Sequence, residues 1–148
     1  MIASNTAYTM IKKWEGLSKT AYKCPVGILT IGYGHVIRAN EKFPRELTEE
    51  QCDKLLVDDV AIIDKALRSY TPAGTVSQNQ YDAIVSFCFN VGVASFISST
   101  FYKKILTKDK RAGDELLRWV YGTIEGKKVK FDGLVRRRGY ERMVFNGF

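Results

Sequence analysis

The feature that most constrains this chain is the tetrad Thr48-Glu49-Glu50-Gln51, followed by apolar residues at Cys52, Leu55, Leu56, Val60, Ile63, Ala66 and Leu67. A threonine whose hydroxyl takes the third helical N–H, with a glutamine reaching back to it, marks a helix start, and apolar residues three or four apart mark one buried stripe. The predicted helix covers 49–70, about 20 residues or roughly 30 Å. The rest of the chain has to pack against an element of that length.

A different pattern precedes it. Ala7, Met10, Ile11 and Trp14 recur at helical spacing between a Ser4 N-cap and a Gly16 stop, which predicts a first helix that ends on Glu15. From Thr20 to Val36 the residues become β-branched and aromatic, broken by Pro25-Val26-Gly27, Gly32 and Gly34, which predicts a small antiparallel sheet with a tight turn at 25–28. After it, a second capping box, Ser77-Gln78-Asn79-Gln80, opens a strongly apolar helix that ends at Gly92, and further helices are predicted over 99–107, 110–121 and 133–145. Helix, small sheet, long helix and helix cluster in that order give a segregated α+β protein, mainly helical, and not an alternating dinucleotide-binding fold.

Composition narrows the partners. The 148 residues include 23 Lys and Arg against 16 Asp and Glu, a net charge of +7, which favours nucleic acid, an anionic lipid surface or an anionic envelope polymer without choosing among them. Lys127, Lys128, Lys130, Arg136, Arg137, Arg138 and Arg142 gather near the end of the chain, as a solvated helix face or as the polyanion contact. Three cysteines, Cys24, Cys52 and Cys88, and a single histidine, His35, support neither a disulfide framework nor a metal site. No apolar run is long enough to cross a membrane and no signal peptide opens the chain, so stable membrane insertion is not expected.

The most informative stretch runs from Trp14 to His35. Glu15, at a helix end beside an aromatic residue, stands where partial burial can suit a carboxyl to general acid work. Cys24 and Thr30 follow in a hairpin able to carry a thiol and a hydroxyl to the same side. Read singly, these are a solvated glutamate, an inert cysteine and an ordinary strand threonine. Together they form a pattern: Glu15, eight residues, Cys24, five residues, Thr30, and then Ile31-Gly32-Tyr33-Gly34-His35.

That pattern resembles the phage-type lysozymes, the endolysins of glycoside hydrolase family 24, in the branch with cysteine where the better-known branch has aspartate. Ser77 to Ala83, Phe87 to Gly92 and Gly133 to Arg138 are similar to the family's later motifs, so the resemblance covers nearly the whole chain. It implies a bilobed fold and a single catalytic domain over 1–148: a sheet lobe at 15–48, the bridging helix at 49–70, and a helical lobe of 71–148 with 1–14.

The resemblance further implies hydrolysis of the β-1,4 bond between N-acetylmuramic acid and N-acetylglucosamine in peptidoglycan, leading to host cell lysis, with no metal or cofactor. Its catalytic positions fall on Glu15, which would protonate the glycosidic oxygen, and on Cys24 and Thr30, which would handle the attacking water. Val36, Phe89, Asn90 and Ser99 match positions that line the saccharide cleft. His35 is expected to pair with Asp59, and Arg137 to approach Glu15, with the neighbouring arginines left as a basic face. The expected partner is a glycan strand and not nucleic acid, met by a monomer that waits in the host cytoplasm for a holin to release it to the periplasm. Two alternatives are a lapsed relative that only binds peptidoglycan and a basic nucleic-acid-binding domain.

Overall fold

The computed structural model describes all residues from Met1 to Phe148. Helix α1 (Asn5–Glu15) leads into a three-stranded antiparallel sheet, β1 (Ser18–Lys23), β2 (Leu29–Gly32) and β3 (His35–Val36), in the order β1-β2-β3. Helix α2 (Glu49–Leu67) then connects to α3 (Gln78–Val91), α4 (Val93–Ile97), α5 (Thr100–Leu106), a 3-10 helix (Ala112–Arg118), a second hairpin of β4 (Tyr121–Ile124) and β5 (Lys127–Lys130), and α6 (Asp132–Phe145).

Local chemistry explains the boundaries. Both capping boxes are formed, Thr48 with Gln51 and Ser77 with Gln80, each satisfying two N–H groups that the first helical turn leaves without partners. The N-cap of α1 is also a tertiary anchor. The Ser4 backbone N–H donates to Asp82 Oδ1 at 2.9 Å and the Ser4 hydroxyl donates to Asp82 Oδ2. The Ala3 N–H donates to Asp64, which also accepts the Tyr81 hydroxyl at 2.7 Å. The start of α1 is thereby tied to α2 and α3, and the direction in which α1 delivers Glu15 is fixed from behind.

The core centres on α3, whose residues Tyr81 to Cys88 are all buried. A helix buried on every side must be apolar nearly all round. Around it pack Ala7, Met10 and Ile11 of α1 and Val144 and Phe145 of α6. Phe87 meets Phe96, Phe101 and Trp119 edge to face, at centroid distances of 6.4, 5.6 and 5.3 Å, arrangements worth about 0.5–1.5 kcal/mol each beyond their burial. Helix α2 buries one stripe, Cys52, Leu56, Val60, Ile63 and Leu67. Its first turns lie against the sheet, where Gly32 meets Cys52 and Leu55.

Two expectations change. Helix α2 ends at Leu67 and not at residue 70, because Tyr70 and Thr71 turn back to hydrogen-bond the Leu67 carbonyl. The predicted helix over 110–121 is a 3-10 helix over 112–118 that gives way to the β4–β5 hairpin. Glu125 and Gly126 both have positive φ, 50° and 77°, the backbone of a two-residue type I′ turn. Val120, Ile124 and Val129 follow strand and not helix spacing around that turn.

Candidate functional site

Glu15 is the last residue of α1, and Gly16 stops the helix with its N–H on the Lys12 carbonyl. Two contacts fix the carboxyl, whose side chain is 20% exposed. Arg137 Nη1 donates to Oε2 at 2.5 Å, and the backbone of Gly34 closes the other side. A Cβ placed on Gly34 would lie 2.8 Å from the Glu15 carboxyl carbon, at a φ of +69° that disfavours side chains. The glycine in the Ile31-Gly32-Tyr33-Gly34-His35 run is thus the price of bringing the sheet hard against this carboxylate.

Arg137 is held in turn. Its Nε donates to Glu141 Oε2 at 3.2 Å and its Nη2 to the Ser86 carbonyl at 2.8 Å. Glu141 is 0% exposed and also accepts the Ser86 hydroxyl and Arg138 Nη1, both at 2.6 Å. Arg138, likewise 0% exposed, donates Nε to the Trp119 carbonyl at 2.8 Å and Nη2 to Asn90 Oδ1. One network therefore runs Glu15, Arg137, Glu141, Arg138, Asn90, with two carboxylates against two guanidinium groups. A buried carboxylate is tolerated only when paired and hydrogen-bonded in this way.

Cys24 and Thr30 are on the sheet. Pro25, Val26 and Gly27 make the hairpin loop: the Gly27 N–H donates to the Cys24 carbonyl and the Cys24 N–H to the Ile28 carbonyl. Thr30 Oγ1 donates to the same Ile28 carbonyl at 3.0 Å. The alternation of side chains along strands puts Cys24 and Thr30 on one face as diagonal neighbours. Cys24 is a half-buried free thiol and Thr30 is buried. No hydrogen bond joins either to Glu15.

His35 is buried between two acids. Nδ1 lies 2.8 Å from Asp59 Oδ2, and Nε2 lies 3.0 and 3.1 Å from the Glu41 oxygens. Burial, the largest influence, pulls the imidazole pKa down, but the hydrogen bonds and charges of Asp59 and Glu41 together leave it above its ordinary value. With a carboxylate at each ring nitrogen, only the imidazolium, a donor at both, satisfies the pair. Glu41 is held low chiefly by the Arg38 N–H, and Asp59 is pushed up by burial.

The sequence of the chain matches the phage lysozyme family profile over residues 12–141. The chain belongs to the phage lysozyme family. It is 36% identical to an endolysin of Acyrthosiphon pisum secondary endosymbiont phage 1 over 98% of both chains. Its structure is similar to an endolysin from Escherichia coli O157:H7 phage FAHEc1, with a TM-score of 0.89 at 32% identity over 99% of this chain and 94% of that one. It is also similar to the muramidase domain of SpmX from Asticaccaulis excentricus, with a TM-score of 0.81 at 32% identity over 96% and 95%.

Against this phage lysozyme frame, the remaining predicted positions fall unequally. Val36 sits opposite Thr30 in the β2–β3 register and is 52% exposed, Phe89 is half-buried against the core, and Asn90 is exposed. Ser99 is 6% exposed, and its hydroxyl caps α5 by accepting the Tyr102 N–H at 3.1 Å while donating to the Phe96 carbonyl. Arg137 approaches Glu15 as expected, whereas Arg138 departs from expectation, since it leaves the basic face for the interior. Glu141, Ser86 and Glu41 were not anticipated. Glu141 had a signal, an acid three and four residues after two arginines on one helix.

Proposed function

We propose that this phage lysozyme family member is a muramidase that cleaves the β-1,4 bond between N-acetylmuramic acid and N-acetylglucosamine in peptidoglycan, acting as one catalytic domain over residues 1–148. The observation that carries the reading is the Glu15 carboxyl, wedged between the Arg137 guanidinium and the Gly34 backbone where α1 meets the sheet. That seat holds one acid at a defined point, as general acid catalysis demands. The names of the relatives, endolysin and muramidase, support the same chemistry.

In this scheme protonated Glu15 gives its proton to the glycosidic oxygen as the bond from that oxygen to the anomeric carbon breaks. A water on the opposite face forms the new bond to carbon. Thr30 has its only hydroxyl proton on the Ile28 carbonyl, so toward that water its oxygen acts as an acceptor and orients one O–H. The sulfur of Cys24, as thiolate, takes the proton the water releases. Solvent then takes the proton from Cys24 and restores one to Glu15. Val36, Phe89 and Asn90 flank the strand, and the paired His35 and Asp59 hold β3 on α2.

No helix is long and apolar enough to cross a membrane, and we assign release of a monomer from the host cytoplasm to the periplasm to a holin. Purified peptidoglycan should lose turbidity with the wild-type protein and not with Glu15→Gln. Equal clearing by both would refute the reading. Unchanged activity in Cys24→Ser would remove the sulfur from the scheme.

A further inference from the structure

We propose that Arg138, locked by Glu141, sets the polarity of the Asn90 amide, oxygen inward and NH2 outward, so that the site accepts an acceptor oxygen of the glycan strand at this point and disfavours a donor. The proposal rests on the muramidase reading.

A guanidinium has five donors and no acceptor, so the Asn90 atom that meets Arg138 Nη2 must be the oxygen. Arg138 cannot turn aside to accommodate the other arrangement. Its Nε is on the Trp119 carbonyl, its Nη1 on Glu141, and its Cζ lies 4.9 Å from the centroid of the Phe87 ring. Glu141 is itself held by Ser86 and Arg137. The amide is planar, so an oxygen turned inward leaves the NH2 group on the outer side of an exposed residue.

The same network joins Asn90 to the proposed acid. Glu15 and Asn90 are the two ends of one chain of contacts through Arg137, Glu141 and Arg138. A glycan strand that reaches both ends of this network meets at Asn90 a fixed donor, not an amide free to flip. Two sources on peptidoglycan supply an acceptor oxygen: the acetamido carbonyl of each sugar and the carboxylates of the peptide stem. A de-N-acetylated sugar presents an ammonium donor instead.

Asn90→Asp is the discriminating variant. It keeps the shape and strengthens the hold on Arg138, but turns an acceptor outward. We expect the Kd for chitohexaose and the KM on peptidoglycan to rise about tenfold, the size of one well-placed hydrogen bond lost against an opposed acceptor, with kcat held within about twofold. Asn90→Ala should weaken binding less than Asp does. In the unsubstituted protein, the Asn90 side-chain NH2 resonances should move on titration with glycan. Movement with chitohexaose identifies the acetamido carbonyl, and movement only with stem-bearing strands identifies a stem carboxylate. Binding by the Asp variant equal to wild type or to Ala, or resonances unmoved by either probe, would overturn the proposal. A wild-type protein that neither binds nor cleaves either substrate would instead refute the muramidase reading.

Discussion

Two buried clusters of cation and carboxylate hold the site, and they differ in what their cation can do. On the helical side, Glu141 sits between Arg137 and Arg138, all three essentially without solvent contact. On the sheet side, His35 sits between Asp59 and Glu41, with Glu41 partly open to solvent. A guanidinium stays charged at every pH a protein survives, whereas an imidazole loses its charge near neutrality. The difference separates a permanent fixture, which sets Glu15 and Asn90, from a titratable one, which fastens β3 and the Glu41 loop to α2.

The strongest way to break that contrast is to remove the carboxylate from the permanent cluster. Glu141→Gln leaves two buried guanidinium groups with one negative partner fewer, and taking one member from a buried pair costs about 3–5 kcal/mol. For a chain of this size that is a fall in Tm of roughly 10 °C. Calorimetry at 0.1 and 1 M salt should give the same loss at both, because buried pairs are screened little. A loss below about 1 kcal/mol would show that the helical cluster is no stiffer than the sheet one.

A pH series tests the other side. His35 has a folded pKa above the ordinary 6.5, so its contribution is fully present below about pH 6.5 and is lost as pH rises through the folded value. Glu41, lowered from 4.5, contributes above that pH and loses its share below it. Asp59, raised from 3.8, works against the folded state as it ionises on the way up from strong acid. The sheet clasp is therefore tightest in weak acid. The Tm should fall from about pH 6 to pH 8 in the wild-type protein, and His35→Asn should flatten that fall. A slope unchanged in His35→Asn would assign it to another group.

Much of this was readable in the sequence, and what was not has physical reasons. The capping boxes at Thr48 and Ser77 announce α2 and α3 because a cap is a local device, complete within four residues. The β4–β5 hairpin escaped notice because its turn is Glu125-Gly126, not the Asn-Gly or Asp-Gly that signals a type I′ turn. Arg138 was assigned to a basic face because charge counts carry no burial: only the fold brings Glu141, Asn90 and the Trp119 carbonyl round it. Glu41 lies in a loop without periodicity, so nothing in its spacing from His35 marks it as a partner. Gly34 stood in a motif, yet its reason, the approach of Glu15 from the far end of α1, is tertiary.

The smallest effect belongs to Glu41, and it sharpens the comparison most finely. Glu41→Gln keeps a carbonyl oxygen able to accept from His35 Nε2 and removes only the charge. Because Glu41 is the more open of the two partners, its pair with His35 is worth about 1 kcal/mol or less. Asp59, the less exposed acid at 2.8 Å, keeps Nδ1 in place. The variant should therefore melt only slightly below wild type at pH 6, with a His35 pKa, read from its ring-proton shifts, lower than in the unsubstituted protein but still responsive to Asp59. If the His35 pKa did not move at all, Glu41 would be a neighbour without influence and the sheet cluster a simple pair. If it fell as far as in Asp59→Asn, the two carboxylates would share the imidazolium equally.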